Sequence, residues 1–489
     1  MTKQSIFKKI AKFMDKLDPL NTTSIALNDN ETLYEFTAWK PHCLWCSDTG
    51  TFIYPTGFDN FHEDKGDKTL YRFICEFNEG RRLWAINKLS LCEDGNEQKR
   101  LQKYITYVTK ANNAAQLANF VKLFKALFDI SSSKLNTQPD VLGSNYGVID
   151  MDTSSLCQQE DKQTVMQWYV TKRINADVLS SFTDIKPEAR WRQFVYEIMS
   201  KDTEKTNFLQ RALGYSIYGG NPEECMFIAW GATTRNGKST LLNAIIDVLG
   251  DYASAVPSNF LLTKRNESDT DDVLASLVGK RFVVSSEPKE GVRFDEAKIK
   301  ALTGNDVVTT SRKFGHTFSY TPEFTLWLNC NRLPEIKDVS LLASGRVFVI
   351  PFEVHFDRLS RDSNLKQLFK TREARTAIIE WLLEGYQSYK DEGLNPPECI
   401  LRNNANYNDV AGNSLDRFIR TCCKLETTAK VEVNIFKETY QKWCENHCEA
   451  VLSTHKMTQV FNILSCVRRK SNGKVFLYGI TISEQENEE

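Results

Sequence analysis

Apolar residues fall at helical spacing from the first turns of the chain. Ile6, Phe7, Ile10, Phe13, Met14 and Leu17 share one face and lysines occupy the other. This predicts an amphipathic helix docked on the edge of its own domain, with a helix lying on a membrane surface as the alternative. Residues 30–100 mix short apolar runs with Gly and Asp turns and read as a small strand-rich region. From 101 the spacing is helical again, with Leu117, Phe120, Val121, Phe124, Leu127 and Phe128 in register, until Ser131–Ser133 and Pro139 punctuate the chain. Trp191, Phe194, Val195 and Ile198 stand at i, i+3, i+4 and i+7 in a further helical block, which Gly219-Gly220-Asn221-Pro222 closes. Between 225 and 355 the grammar changes. Short apolar strands (CMFIAW, RFVVSS, FTLWLNC, RVFVIPF) alternate with helical or polar stretches, which predicts an α/β domain with a largely parallel sheet. Helical patterns near 415–424, 433–446 and 454–464 precede VRRKSNGKVFLYGI, two strands about Asn472-Gly473. Three helices and a hairpin outline a winged helix.

The predicted division is therefore a small N-terminal region over 1–100, a helical region over 101–220, an α/β domain over 221–355 and a helical linker over 356–404. A winged-helix domain over 405–483 and an acidic tail over 484–489, expected to be disordered, complete it. No internal repeat interrupts this order.

Composition narrows the class. The 489 residues carry 62 Lys plus Arg and 63 Asp plus Glu, a net charge of −1, with 41% hydrophobic residues. Wholesale disorder, collagen and simple coiled coil are excluded. No window reaches the ~18 uninterrupted apolar residues of a membrane span, and lysines interrupt the first twenty residues, so no secretory leader and no membrane partner are expected. Near-neutral charge excludes a globally basic nucleic-acid coat and leaves room for a local basic groove. Thirteen cysteines form no dense framework and read as reduced thiols of a cytoplasmic protein.

The strongest chemical signal is FIAWGATTRNGKSTLLNAIIDVLG. An apolar strand enters a loop of Gly231, Ala232, Thr233, Thr234, Arg235, Asn236 and Gly237, followed by Lys238, Ser239, Thr240 and an amphipathic helix. Backbone N–H groups of such a loop and helix N-terminus point at a triphosphate. Gly237 allows close approach to phosphate, Lys238 supplies charge to the β/γ-phosphates, and the Ser239 hydroxyl reaches Mg²⁺. Five residues separate Gly231 from Gly237 where the general pattern has four, so either Ala232 replaces the first glycine or Gly231 serves one position earlier.

Downstream, RFVVSSE ends in Glu287, a carboxylate at a strand end suited to holding Mg²⁺ or polarising water. LWLNCN ends in Asn331, which can orient an attacking water without carrying charge. Arg346 precedes the strand VFVIPF and can reach a neighbouring subunit's nucleotide. The plainer alternatives are a surface Glu, an Asn capping a turn and a solvated Arg.

Together, GATTRNGKST, VGKRFVVSSEPKEGVRFDEAKIKALTGND, FTLWLNCNRLP and GRVFVIPF resemble superfamily 3 helicases, in the branch of phage, plasmid and poxvirus primase–helicases. SNYGVIDMDTSSL and LQRALGYSIYG resemble the helical region that precedes the ATPase in that branch. The resemblance implies an AAA+-type P-loop ATPase fold, a hexameric ring binding ATP and Mg²⁺ at subunit interfaces, and translocation on single-stranded or forked DNA. A primase or DNA polymerase is an implied partner. By the same resemblance Lys238 and Ser239 belong to Walker A, Glu287 to Walker B, Asn331 to sensor 1 and Arg346 to the arginine finger, here without the second arginine that relatives often carry. The DNA-contacting hairpin maps to TSRKFGHTFSY, where Arg312, Lys313 and His316 surround Gly315. Positive charge beside aromatics suits phosphate tracking, and a solvated hairpin with core aromatics is the alternative.

The first 140 residues show no clustered primase carboxylates; Asp150 and Asp152 form an Asp-x-Asp pair, but within the helical-region motif. Cys43 and Cys46 make one C-x-x-C after His42, with Cys75 and Cys92 farther on, short of the two close pairs usual for structural zinc. Cys444 and Cys448 flank His447 at helical spacing and read as packing residues. The expected activity is a replicative DNA helicase of a phage, plasmid or other mobile element, in the cytoplasm, that of a bacterial host for a phage or plasmid protein. Two other readings stay open: an ATP-switched initiator or origin-binding protein, and a primase–helicase with a cryptic N-terminal primase.

Overall fold

The computed structural model describes residues 3–17, 28–157, 162–177, 185–262, 268–286, 293–311, 317–334, 336, 338, 340–357, 362, 364–405, 407, 414–426, 429–446, 451–452, 454–463, 466–471 and 473–483. The chain separates into two compact units. The first is Met1–Ser180 with Leu249–Tyr252 and Phe314–Tyr320, and the second is the remainder.

The first unit opens with helices α1 (Lys3–Leu17) and α2 (Asp29–Trp39), then a three-stranded antiparallel sheet, β1 (Leu44–Cys46), β2 (Thr51–Pro55) and β3 (Phe61–Lys65). Helices α3 (Lys68–Leu91), α4 (Gly95–Ala111) and α5 (Ala114–Leu127) follow. The predicted apolar face of α1 docks as expected, with Ile10 and Met14 buried among Phe36, Phe77, Trp84, Leu101, Tyr104 and Phe124. Most of 30–100 is helix and not the expected strand, because α3 alone spans Lys68–Leu91. Residue 100 is also no boundary, since α3 and α4 bury residues in one core. Arg81, fully buried in that core, is held by Glu35 at 3.0 Å and Asn78 at 2.6 Å, as a buried charge requires. A second antiparallel sheet, β4 (Val141–Ser144), β5 (Gly147–Asp150) and β6 (Ser155–Leu156), occupies part of the stretch expected to be helical, before α6 (Lys162–Gln167). Asp150 ends β5, and its carboxylate accepts from the backbone N–H of Asp152 at 2.8 Å, an Asx turn.

The second unit begins with α7 (Ile185–Ile198) and α8 (Thr203–Tyr215), then β7 (Met226–Trp230), α9 (Lys238–Leu249), β8 (Ala253–Val256), α10 (Ser268–Ala275), β9 (Phe282–Ser285) and α11 (Glu296–Thr303). Strands β10 (Val308–Ser311) and β11 (Thr317–Tyr320), the latter counted with the first unit, lie on either side of 312–316. Next come β12 (Thr325–Cys330), α12 (Ser340–Ala343), β13 (Val347–Pro351), α13 (Leu365–Leu368), α14 (Arg372–Glu392) and α15 (Glu398–Ala405). Five strands form one sheet in the order β13-β7-β12-β9-β8, every pair parallel. Their near-continuous apolar runs follow from burial on both faces, with Met226, Ile228, Val283, Leu326, Leu328, Val347 and Val349 all in one core. The mixed α/β class expected from the sequence is therefore present. Strand β7 has parallel neighbours on both sides, pairing Trp230 with Cys330 and with Pro351. The loop after β7 thus emerges at the carboxyl ends of three adjacent strands, where open α/β sheets bind ligands.

The C-terminal stretch carries α16 (Ser414–Cys422), β14 (Cys423–Lys424), β15 (Lys430–Glu432), α17 (Val433–Asn446), α18 (Thr454–Ile463), β16 (Val467–Ser471), β17 (Lys474–Tyr478) and β18 (Thr481–Ile482). The three helices bury Leu415, Phe418, Phe436, Tyr440, Cys444, Met457 and Phe461 with Leu477 of β17. The expected hairpin is β16–β17, antiparallel from Val467↔Tyr478 to Ser471↔Lys474. Among the described residues no helix is long and apolar enough to cross a membrane.

Candidate functional site

The loop 231–237 leaves β7 and turns into α9, whose first residue is Lys238. Two positions in it admit glycine alone. A Cβ on Gly231 would lie 2.6 Å from the Phe352 carbonyl oxygen and 3.0 Å from Lys238 Nζ. Gly237 has φ of +87°, and its missing Cβ is the space taken by Ile198 of α7. Gly231 is buried, and Ala232 stands exposed beside Thr233 and Thr234. Arg235 is exposed with φ of +61°.

Lys238 is 3% exposed. Its ammonium donates to the Gly231 carbonyl at 3.2 Å and to Asn331 Oδ1 at 2.9 Å. The Asn331 backbone is fixed in turn, because its carbonyl accepts from Trp230 Nε1 at 3.1 Å. Asn329, two residues earlier on β12, points its amide at Ser239 Oγ, 3.3 Å away. Strand alternation puts residues 329 and 331 on one side, so a period-2 pattern reaches Asn329, whereas the position at the strand end marks Asn331 alone. The segment after β13 braces the loop from the other side. Phe352 N donates to the Trp230 carbonyl at 2.6 Å, Phe356 N to the Arg235 carbonyl at 2.9 Å, and His355 Nδ1 lies 2.8 Å from the Thr234 carbonyl. Within the loop, Asn236 Nδ2 donates to the Thr233 carbonyl at 2.6 Å.

Beside the loop lies a cavity of about 310 Å³. Phe194 of α7, Phe356 and Leu365 supply its apolar wall, and Gly237, Lys238, Ser239 and Thr240 line the side formed by the loop and the start of α9. Arg190 is set 3.4 Å from Glu197 and 3.7 Å from Asp362 at its polar rim. Of the residues flanking the loop, the sequence pattern names Phe194 alone, as part of an apolar helix face; Arg190, Phe356 and Leu365 are not marked by it. The helical spacing of Trp191, Phe194, Val195 and Ile198 marked a buried face, and all four are buried. What that face is buried against is decided by the fold.

Arg346 is not part of this cluster in its own chain. It precedes β13, at the opposite end of that strand from Pro351, and binds Glu224 Oε2 at 2.6 Å and Thr303 Oγ1 at 2.7 Å. Glu287, Arg312, Lys313 and His316 lie outside the described residues. Cys43 and Cys46 turn into different clusters. Cys43 packs with Leu33, Phe36 and Phe52, and burial pushes its thiol up to about 12; Cys46 packs with Ile53, Phe61, Ile130 and Leu135. Among the described residues no three His, Cys, Asp or Glu side chains gather as a metal cluster.

Residues 229–343 match a family model described as "Family of unknown function (DUF5906)". The chain is 25% identical over 284 residues to a protein named "Putative helicase" from Acanthamoeba polyphaga mimivirus, covering 54% of this chain and 26% of that one. It is 28% identical over 175 residues to a like-named protein of Frog virus 3, covering 35% and 18%, and 27% identical over 176 residues to one of Sputnik virophage, covering 32% and 22%. The matched region is thus about a quarter or less of each relative's length. Among solved structures, the A-form apo structure of the NrS-1 C-terminal region aligns over 90% of this chain and 96% of its own, at 8% identity and a TM-score of 0.40.

Proposed function

We propose that this chain is the motor part of an ATP-driven DNA helicase of the superfamily 3 type, serving replication of a virus or other mobile element. The observation that carries the reading is Lys238. A nearly buried ammonium sits between the Gly231 carbonyl and Asn331 at the carboxyl ends of adjacent parallel strands, at the start of a helix. Helix-end N–H groups and a buried cation favour bound phosphate, and the neighbouring cavity has the size and apolar walls suited to a nucleoside. Three viral relatives named as helicases support the same reading.

In this proposal the 231–237 loop and Lys238 hold the β- and γ-phosphates, and Phe194 and Phe356 hold the base. Ser239, oriented by Asn329, and Glu287 are the proposed ligands of Mg²⁺, which when bound neutralises charge between the phosphates. Asn331 hands Lys238 to the nucleotide and positions water with Glu287. Arg346 of one subunit completes the site of its neighbour in a ring, proposed as a hexamer. Arg312, Lys313 and His316 of the 311–318 segment contact single-stranded DNA. Residues 221–355 form the proposed AAA+ ATPase domain and 405–483 a winged helix.

The test is Mg²⁺-dependent ATP hydrolysis with and without single-stranded DNA, on wild type and Lys238→Ala, followed by unwinding of a forked duplex. DNA-stimulated hydrolysis and unwinding, both abolished by the substitution, support the motor. Hydrolysis indifferent to DNA overturns it in favour of an ATP-switched initiator.

A further inference from the structure

Arg346 is held in its own chain by residues that the nucleotide loop does not use. It stands just before β13, and its carbonyl accepts from Met226 N at 2.9 Å, so its backbone is tied to the start of β7. Its side chain is 19% exposed. Nη1 donates to Thr303 Oγ1 at 2.7 Å and to the Lys300 carbonyl at 3.5 Å, and Nη2 donates to Glu224 Oε2 at 2.6 Å. Lys300 and Thr303 lie in the last turn of α11, where carbonyls without a helical partner favour a cation. Thr303 is fully buried and gives its own hydrogen to the Ile299 carbonyl at 2.7 Å, so toward Arg346 it acts as an acceptor.

The turn that presents Glu224 is locked. Asn221, 1% exposed, accepts from the Tyr215 hydroxyl and from Cys225 N, and donates to the Cys225 carbonyl at 2.9 Å. Its own carbonyl accepts from Glu224 N at 2.9 Å and from Asn305 Nδ2 at 3.2 Å. Glu223 gives its N–H to the Tyr215 oxygen at 3.2 Å, and its carboxylate accepts from the Tyr389 hydroxyl at 2.9 Å. Glu224 itself has φ of +49°, left-handed backbone that glycine adopts more readily. A strained position that nevertheless carries a carboxylate points to a use for the side chain, and the group it meets is Arg346.

A guanidinium has five N–H donors. Both of Nη1 and one of Nη2 have acceptors at home. Nε–H and the second N–H of Nη2 have none among the described residues. They sit on neighbouring nitrogens, and two oxygens of a phosphate can accept from such a pair.

We propose that Glu224 and Thr303 are positioning residues for Arg346. They fix the plane of its guanidinium, so that the two unused donors are offered already ordered to the phosphates of a nucleotide held by a neighbouring copy. Donors ordered in advance need no rearrangement when charge develops. The proposal rests on the reading that Arg346 completes a neighbour's site.

The experiment is steady-state ATP hydrolysis by the full chain with single-stranded DNA, with Tm recorded for each variant. Arg346→Ala is expected to lower kcat about 10³-fold or more. Glu224→Ala lowers it about 10–100-fold, the effect of a misplaced group, and leaves the KM for ATP unchanged because the chain's own loop is intact. Glu224→Gln keeps most of the rate, since its amide oxygen accepts the same bond. Thr303→Val falls as Glu224→Ala does, and Thr303→Ser is restored. Adding Glu224→Ala to Arg346→Ala costs nothing further, because the two act through one group. An inactive Arg346→Ala beside a Glu224→Ala of wild-type kcat overturns the positioning role and leaves the motor reading standing. A higher kcat in Glu224→Ala overturns it too, since the ion pair would then restrain Arg346. So does a Glu224→Ala loss that persists at full size without Arg346, which a merely structural role produces. An Arg346→Ala as active as wild type removes the reading on which the proposal rests, and the proposal with it.

Discussion

At the scale of single residues, the site is a matter of which atoms have room. Gly231 and Ala232 are neighbours, but only at Gly231 does a methyl group meet the Phe352 carbonyl and the Lys238 ammonium. Gly231→Ala is therefore expected to cut ATP hydrolysis by about 10²-fold, the usual effect of a small misplacement in such a site, while Ala232→Gly stays close to wild type. Steady-state phosphate release checks both. Asn329 lies one step away, donating to Ser239, a proposed Mg²⁺ ligand. Asn329→Ala is expected to raise the Mg²⁺ concentration for half-maximal hydrolysis about 10–100-fold, as loss of a ligand's supporting hydrogen bond does. A Mg²⁺ titration with protected folding reads it, and an unchanged titration removes Asn329 from the site. The buried place of Lys238 at the start of α9 is legible in the sequence because an apolar strand, a glycine-bearing loop and Gly-Lys-Ser-Thr follow one another along the chain. Asn329 was passed over because its partner is far away in sequence.

At the scale of elements, α7 and the segment after β13 matter more than their sequences suggest. The periodicity of Trp191, Phe194, Val195 and Ile198 foretold a buried helix face, and the structure turns that face onto Gly237 and the cavity. The helical block thus contributes directly to the candidate site. Its companion α8 approaches α14 backbone to backbone: a Cβ on Gly214 would lie 2.8 Å from the Cα of Gly385. Gly214→Val is expected to lower stability by about 1–3 kcal/mol, the range for overpacking, and a drop in Tm with otherwise native far-UV circular dichroism is the measurement. The strand-rich reading of 30–100 missed because the aromatic-rich α3 has short apolar runs separated by Asn78, Gly80 and the buried Arg81. That arginine interrupts the apolar face in the sequence, and it is tolerated in the core only because Glu35 and Asn78 meet it there.

At the scale of the whole molecule, the question is whether one chain holds a complete site. Arg346 binds Glu224 and Thr303 of its own chain, so a role at a nucleotide requires a neighbouring copy. Mixing Lys238→Ala with Arg346→Ala, each inactive alone, is expected to restore part of the hydrolysis, because some interfaces then pair an intact loop with an intact arginine. The mixing ratio scan checks this, with Arg346→Lys as the control for the ion pair that Arg346 makes at home. No recovery in co-assembled proteins means that Arg346 is structural. The relatives extend well beyond the matched region, so what such an assembly acts on is a property to be measured on the full-length proteins.

Features that depend on neighbours along the chain are written in the sequence. The apolar strand, the glycine-bearing loop, the Gly-Lys-Ser-Thr helix start, the alternation of strand and helix over 225–355 and the β16–β17 hairpin all follow from local sterics and periodicity. The tertiary structure decided what depends on residues distant in sequence. It set the strand order that puts β12 beside β7 and so brings Asn331 to Lys238, the docking of α7 that closes the cavity, and the burial of Arg81. Local preference fixes a chain's elements; only packing fixes which of their faces meet, because that choice is made by burial and charge compensation summed over residues the sequence keeps apart.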